Sequence, residues 1–380
     1  MNQAKERLLF IDIFRGIAVL WMIETHVVNA FMNPVHRNNV FFSWLNLTNG
    51  IVAVSFLFCA GAGFYLAASS KWNDFKGFKK PLFLYLRRLG FILCIAYFLH
   101  LPVLAFKDLF TMTPQQTLGF FQSDILQVIV LSSLFSISLL LVTPAIRFLP
   151  VVTGIVALII FITAPFVWAA EALKAMPVFI GTFFTRPPVS NFPLFPWAGY
   201  FFAGISLTGF FMQSNDKKKF AMISAFISIA VLLINYNTSS FQWQYGFIDW
   251  WGCAPGHSLF RLGCASAVFS ILYLFEKYFQ DNIPSSFLLI CGRESLFLYA
   301  THLLIVYGSI LSFGLYYKLS GKLDLMETVL FYTGLTLSCF LGAWIWHILK
   351  KKFMIVSKVI MYGLVAVFIF IFFSGIWGLK

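Results

Sequence analysis

Apolar runs of about 20 residues alternate with short polar segments along this whole chain. An α-helix of that length crosses the hydrocarbon core of a bilayer. Membrane β-barrel strands would instead be shorter and would alternate polar with apolar positions. The pattern therefore predicts an all-α, polytopic transmembrane helical bundle of about eleven spans (roughly ten to twelve). The predicted spans are 11–30, 51–69, 88–106, 124–142, 151–169, 195–212, 220–236, 257–276, 295–316, 326–347 and 354–377.

The composition agrees with a membrane protein. Of the 380 residues, 60% are hydrophobic and 11% are charged, whereas soluble domains carry about 25% charged residues. A net charge of +13 would suggest nucleic acid in a soluble chain. In a membrane chain it indicates topology and anionic partners, such as lipid headgroups or a phosphorylated cofactor, so we expect no nucleic-acid partner.

The basic clusters "KWNDFKGFKK", "NDKKKF" and "LKKKF" predict the orientation. All three fall on one side of the membrane if the N-terminus is cytoplasmic, as the positive-inside rule requires. We expect the first apolar stretch to be a permanent span rather than a cleaved signal, since polar residues interrupt it. The sequence predicts one integral-membrane domain, 1–380, with a core at 7–347 and an extra C-terminal span at 354–377. A bacterial inner membrane is the expected location, and an oligomer is compatible with the sequence.

The first span, "FIDIFRGIAVLWMIETHVVNAF", carries Asp12, Arg15, Glu24 and His26. Ionisable groups are expensive in hydrocarbon and usually face a protein interior or a wet cavity. Arg15 and His26 are close to three turns apart, so they share one helix face about 16 Å apart along the axis. Asp12 can pair with Arg15, and Glu24 points away from His26. The stripe formed by Arg15 and His26 on this face predicts a transfer path, along which an anionic donor from the cytoplasm could bring its reactive end to His26. The alternative is a snorkelling arginine and a histidine satisfied by a neighbouring helix.

Four stretches carry a resemblance to a known family. "RLLFIDIFRGIAVLWMIETH" resembles the opening helix of the membrane acyltransferase superfamily that includes acyltransferase family 3 and heparan-alpha-glucosaminide N-acetyltransferase. Its D-x-x-R-G signature is Asp12 to Gly16, and ten residues separate Arg15 from His26, as in the family 3 branch. "VSFLFCAGAGFYLA", "FPLFPWAGYFFAGISLTGF" and "GRESLFLYATHLLIVYG" resemble later spans of the superfamily, in the expected order.

The resemblance implies an acyltransferase that uses acyl-CoA, of which acetyl-CoA is expected, and a sugar-containing acceptor such as an amino sugar, a glycan or a glycolipid. His26 would act as general base or carry the acyl group. In the heparan acetyltransferase branch Asn replaces this histidine, and the proposed catalytic histidine lies in the following outer loop. That loop holds His36 here, so His26 and His36 both stay open as the essential histidine.

Basic residues near the third span are candidates for binding the phosphates of coenzyme A: Lys79, Lys80, Arg87 and Arg88. Arginine forks and lysine point charges both suit phosphate, and the resemblance supports Arg87 and Arg88 in that role. The alternative is a plain positive-inside anchor.

Two polar pairs are candidates for binding the acceptor. Asp124 and Gln127 open the fourth span, where Asp124 is suited to cap the helix; the functional alternative is that they orient His26 or the acceptor. His257 and Arg261 lie four residues apart on one face of the eighth span, where they form either an acceptor site or an interface pair.

The late helix carries a third group of candidates. Ser295, Tyr299 and His302 recur at helical spacing on one face. His302 is the second candidate for a catalytic or orienting group, and Ser295 and Tyr299 could bind substrate. No metal-binding motif is found, so we expect no metal.

The sequence thus predicts a membrane-embedded acyltransferase that moves an acyl group from cytoplasmic acyl-CoA to a hydroxyl or amine of an acceptor at the outer face. The alternative is a proton-coupled or solute transporter that uses the same buried Arg, Glu and His groups. Transporters often show paired repeats with broken helices, and no matching halves are found in this sequence.

Overall fold

The structure is a computed structural model, and it describes residues 8–184, 189–237, 250–279 and 283–375. The first helices in chain order are α1 (Leu9–Phe31), α2 (Val40–Asn49), α3 (Val52–Ser70), α4 (Trp72–Lys76), α5 (Lys80–Leu99), α6 (Pro114–Phe121), α7 (Ile125–Val142), α8 (Leu149–Ala169), α9 (Glu171–Lys174) and α10 (Val178–Gly181). The later helices are α11 (Leu194–Gln213), α12 (Lys217–Asn237), α13 (Trp250–Cys253), α14 (Pro255–Leu274), α15 (Ile283–Arg293), α16 (Ser295–Val306), α17 (Tyr316–Leu319), α18 (Leu325–Lys352) and α19 (Met354–Ser374). The strands are β1 (Gly308–Ser309) and β2 (Ser312–Phe313), and 3-10 helices cover Pro34–Arg37, Phe106–Thr111, Ile146–Phe148 and Glu276–Phe279.

The predicted all-α membrane class is confirmed, although the spans do not match one for one. Within the described residues, 8 helices are long and apolar enough to cross a membrane, or up to 9 if the bent pair α15–α16 is one span. Helix α1 is not among the eight, because its ionisable residues lower its hydropathy. The prediction of about eleven spans included that helix on the strength of its length.

The chain divides into two compact units. The first unit comprises Met1–Phe14, Gly50–Ala96 and Gln122–Asn282. In it, α11 packs against α3, α7 and α8, and α12 packs against α14. The crossing of α3 with α11 depends on glycine, since a Cβ built on Gly61 would lie 1.9 Å from the carbonyl oxygen of Phe201. Small residues of this kind let membrane helices approach closely.

The second unit comprises Arg15–Asn49, Tyr97–Phe121 and Ile283–Lys380. In it, α18 contacts α15, α16 and α19. A Cβ on Gly16 would lie 2.2 Å from the carbonyl oxygen of Leu288, so α1 packs closely against α15. The prediction of a single domain over 1–380 stays a prediction.

The late span predicted at 295–316 is wrong in its second half. Helix α16 ends at Val306, and the chain then forms the antiparallel pair β1–β2. Gly308 has a φ of 83°, a left-handed conformation that glycine adopts without steric cost. At its other end, α16 is bent by 78° from α15. The apolar run looked continuous because hydropathy alone does not register such a turn.

The third span also differs from the prediction of 88–106. Helix α5 covers Lys80–Leu99, so Arg87 and Arg88 lie inside the helix and do not precede it. The hydropathy pattern placed the start after the charges, whereas the helix continues through them with both side chains exposed. The C-terminal span predicted at 354–377 is observed as α19, and its last predicted residues lie outside the described part of the chain.

Candidate functional site

Helix α1 carries the predicted stripe without interruption. Asp12, Arg15, Glu24 and His26 all lie in its 23 residues. Asp12 is 5% exposed, whereas Arg15 and His26 are partly buried. At 1.5 Å per residue, the guanidinium-bearing turn and the imidazole-bearing turn are about 16 Å apart along the axis.

His26 meets two groups from the other end of the second unit. Its Nδ1 lies 3.0 Å from the hydroxyl of Tyr307. Its ring centre lies 5.2 Å from that of His302. The two histidines predicted as the catalytic candidates are therefore neighbours, and the tyrosine hydroxyl holds one of them.

The tautomer of His302 follows from its surroundings. Its Nδ1 lies 2.7 Å from the carbonyl oxygen of Leu298, one turn earlier on α16. A carbonyl oxygen only accepts hydrogen bonds, so Nδ1 carries the proton and Nε2 keeps its lone pair. The side chain is 0% exposed, and Nε2 has no hydrogen-bond partner in the described residues. His302 thus presents an unsatisfied buried acceptor, which is a group that needs an explanation in a native structure.

Tyr307 was missed by the sequence reasoning. It lies five residues after His302, at the C-terminal end of α16, where its backbone N–H still bonds the carbonyl oxygen of Leu303. From that position its hydroxyl meets His26. Burial, followed by the nearby Tyr316, raises the pKa of Tyr307 to about 12, so the phenol stays protonated at neutral pH. The motif that resembles the late span contained this tyrosine, but no pattern in the sequence pairs it with His26.

Glu24 has its own surroundings, as its position on α1 predicted. Its carboxylate oxygens are inaccessible to water, and it interacts with Asn49 and Thr25. Asn49 in turn accepts a hydrogen bond of 2.8 Å from the indole Nε1 of Trp21. Glu24 is therefore part of a polar contact between α1 and the end of α2, and no contact ties it to the histidine pair within the described residues.

The candidate phosphate-binding residues lie at the start of α5 and within it, in the first unit. Lys79 pairs with Asp74 at 3.5 Å, and Arg88 lies close enough to Tyr85 to interact with its phenol. All four side chains are exposed. Arg87 and Arg88 are seven and eight residues beyond Lys80, so about two turns separate the arginines from the helix start.

The Asp124–Gln127 pair forms a capping box at the start of α7. The Asp124 side chain accepts from the backbone N–H of Ile125 at 2.7 Å, and Gln127 Oε1 accepts from the backbone N–H of Asp124 at 3.3 Å. The capping interpretation is therefore confirmed. Gln127 is fully buried, and its Nε2 has no partner among the described residues.

His257 and Arg261 are buried in α14, at 2% and 3% exposed. The Arg261 guanidinium lies over the ring of Trp197 at 5.3 Å, and it interacts with the Tyr200 hydroxyl. His257 stacks on Phe260 with ring centres 5.9 Å apart. Burial of both side chains does not suit a pair at the membrane interface, so an internal polar cluster of the first unit describes them better.

The remaining candidates divide by position. Tyr299 is 4% exposed, and its ring centre lies 6.0 Å from that of His302. Ser295 begins α16, two turns before His302. His36 is exposed on the 3-10 helix Pro34–Arg37, and within the described residues no contact joins it to the histidine pair. In the same described ranges, no group of three or more His, Cys, Asp or Glu side chains is placed to hold a metal ion.

Comparison with known proteins gives one family. The model of the family described as heparan-alpha-glucosaminide N-acetyltransferase, catalytic, matches residues 7–240, which is more than half of the chain. The match covers α1 with its Arg15–His26 stripe and all of α5. No curated protein matches the chain.

Proposed function

Because this chain belongs to the heparan-alpha-glucosaminide N-acetyltransferase catalytic family of membrane acetyltransferases, we propose that it transfers an acetyl group from cytoplasmic acetyl-CoA to a sugar-containing acceptor at the opposite face. The long apolar helices agree with an integral membrane enzyme. The family does not favour the transporter alternative, because acyl transfer needs no solute to cross the membrane.

The observation that carries the proposal is the meeting of His26, Tyr307 and His302. If His26 Nδ1–H donates to the Tyr307 oxygen, His26 Nε2 keeps its lone pair and can accept a proton. The 3.0 Å separation of these atoms fits that bond. A neutral imidazole held in one tautomer is what general-base catalysis requires.

The chemical step balances without a metal or redox cofactor. The acceptor amine or hydroxyl attacks the thioester carbonyl while the base takes its proton. The new C–N or C–O bond forms, the C–S bond breaks, and the thiolate of coenzyme A leaves and takes up a proton. His26 would act as the base. His302 Nε2, which is buried and has no hydrogen-bond partner among the residues that the structure describes, would accept a hydrogen bond from the acceptor or from protonated His26.

We assign the donor phosphates to Arg87 and Arg88. Both side chains are exposed cations on α5, and guanidinium forks bind phosphate oxygens in pairs. Lys79 is the matched control, since its ammonium already pairs with Asp74. Arg87→Ala with Arg88→Ala should weaken acetyl-CoA binding by about tenfold or more, and Lys79→Ala should not. An unchanged affinity in the double variant would reduce the arginines to topology signals.

The distribution of charge supports the proposed orientation. A cytoplasmic N-terminus puts the basic clusters and Arg15 on the side where acetyl-CoA is made, and His26 deeper in the bilayer. A bacterial inner membrane suits this arrangement, and lipid and acetyl-CoA are then the partners besides the acceptor.

The experiment that tests the function is turnover of labelled acetyl-CoA by the purified protein in proteoliposomes, against a panel of amino sugars, neutral sugars and glycan fragments. The proposal predicts acetylation of at least one member and release of free coenzyme A in equal amount. Proteoliposomes that move protons or solutes without a donor, and never form an acetylated product, would support the transporter instead.

A further inference from the structure

The second unit contains a cavity that none of the candidates above occupies. Its volume is about 220 Å³, and its lining comes from the C-terminal half of α1, the 3-10 helix Pro34–Arg37 and α2. Helix α1 contributes Asn29, which is three residues beyond His26. Val28, two residues beyond the proposed base, also lines the cavity, so the lining begins about 3 Å further along the axis.

The lining combines amide and hydroxyl groups with an apolar floor. The polar groups are Asn29, Ser43, Asn46 and Asn49. Val28 and Phe42 belong to a small apolar cluster of buried side chains beneath them. Amides offer both donors and acceptors, and an apolar face beside them suits a ring that carries several hydroxyl groups.

Arg37 gives the cavity its charge. Its Nη2 donates to the carbonyl oxygens of Met32 at 2.5 Å and Asn29 at 3.4 Å, which fixes the guanidinium without neutralising it. Its Nε is inaccessible to water and has no partner among the described residues. Within the described part of the chain, no carboxylate is among the residues that line the cavity. A guanidinium that lines the cavity and is held by carbonyl oxygens keeps its positive charge, so it is suited to bind an anionic oxygen group.

Resting on the proposed function, we infer that this cavity binds the acceptor, and that the acceptor is a hydroxyl-rich sugar with an anionic substituent that Arg37 binds. The anionic group would anchor the sugar at Arg37, and the amides would hold its hydroxyls. The sugar's reacting amine or hydroxyl could then extend along α1 toward His26.

Binding measured without acetyl-CoA separates this inference from the proposed function. The probes are glucosamine 6-phosphate and glucosamine, which differ by one anionic group, titrated into the purified protein in detergent. The wild type should bind the phosphorylated sugar at least tenfold more tightly. In Arg37→Gln the affinity for glucosamine 6-phosphate should fall by about 10- to 100-fold, so the preference for the phosphorylated sugar is lost. The reason is that a hydrogen bond to a charged group is removed.

A second variant protects against misfolding of the first. Asn46 is exposed, so Asn46→Asp should keep the fold while adding a carboxylate to the cavity that Arg37 lines. It should weaken the phosphorylated probe by about tenfold and leave glucosamine nearly unchanged. Lys322→Ala is the matched control, since Lys322 is an exposed cation. Its neighbour Leu323 donates a backbone hydrogen bond to Phe31 at the end of α1. Lys322→Ala should change neither affinity.

The outcomes divide as follows. Equal affinity for both probes in the wild type, or no change in Arg37→Gln and Asn46→Asp, overturns the inference whatever the turnover assay gives. If the protein binds the phosphorylated probe more tightly but transfers no acetyl group, the cavity assignment stands and the proposed function is refuted. A further arm adds nanodiscs with phosphatidylinositol as competitor. Displacement of the phosphorylated probe there assigns the anionic sugar group to a lipid headgroup, and no displacement assigns it to a soluble sugar.

Discussion

Replacing Tyr307 with phenylalanine tests the geometry around His26 most selectively. The change removes one oxygen atom, the one that lies 3.0 Å from His26 Nδ1, and keeps the ring. A neutral hydrogen bond contributes about 0.5–1.5 kcal/mol, which corresponds to a rate change of about 2- to 12-fold. If His26 Nδ1–H is the donor in this bond, the imidazole without its partner also populates the other tautomer, which costs about another factor of two.

The assay is steady-state acetyl transfer with acetyl-CoA and the acceptor that the sugar panel identifies. We expect kcat to fall by about 5- to 25-fold, with KM for acetyl-CoA unchanged, because the hydroxyl orients the base and does not touch the donor. Since the pKa of Tyr307 is raised to about 12, the phenol stays protonated to about pH 10 and contributes no alkaline limb below it.

Tyr316→Phe is the control for this prediction. The Tyr316 ring lies 5.8 Å from the Tyr307 ring. Tyr316→Phe therefore removes a hydroxyl from the same neighbourhood but leaves the contact between Tyr307 and His26 in place. A kcat in Tyr307→Phe within about twofold of the wild type, or equal losses in the two variants, would refute the positioning role. A matched melting temperature for both variants excludes a loss of folded protein.

Three further predictions concern stability, each measured by thermal unfolding in detergent. Asp124→Ala removes the capping box of α7 and should lower the free energy of unfolding by about 1 kcal/mol; no change would mean that the cap is redundant. Glu294→Gln should cost about 1–3 kcal/mol, because the 5% exposed carboxylate bonds His347 and Lys350 of α18; an equal stability would contradict its role in holding α16 to α18. Gly61→Ala should cost about 1–3 kcal/mol or more, since its Cβ would overlap a carbonyl of α11, whereas Gly90→Ala, which meets nothing within 4 Å, should be neutral or slightly stabilising.

The sequence predicted the parts of the fold that depend on local pattern. Apolar runs gave the helical membrane class, because a run of the right length has few other stable forms in a bilayer. The ends of the helices were harder to predict from the sequence. Gly308 ends the late helix through its backbone conformation. Arg87 and Arg88 lie within α5, whereas the hydropathy pattern placed the start of that helix after Arg87.

The candidate site was predictable where one helix contained both partners. The stripe from Arg15 to His26 needed only helical geometry, and His302 was found from its own motif. The meeting of His26 with Tyr307 and His302 could not be derived from the sequence, because Tyr307 and His26 are 281 residues apart in the chain. The cavity at Arg37 was missed for a similar reason: its lining comes from the end of α1, a 3-10 helix and α2, and no sequence pattern links these three segments.

The most direct test of the central claim is single-turnover acetyl transfer by the wild type, His26→Ala and His36→Ala under the same conditions. The account predicts that His26→Ala reduces the rate by about 10²- to 10⁴-fold, as loss of a general base does, and that the exposed His36 can be replaced without loss. Transfer by His26→Ala at close to the wild-type rate, or a loss confined to His36→Ala, would contradict it.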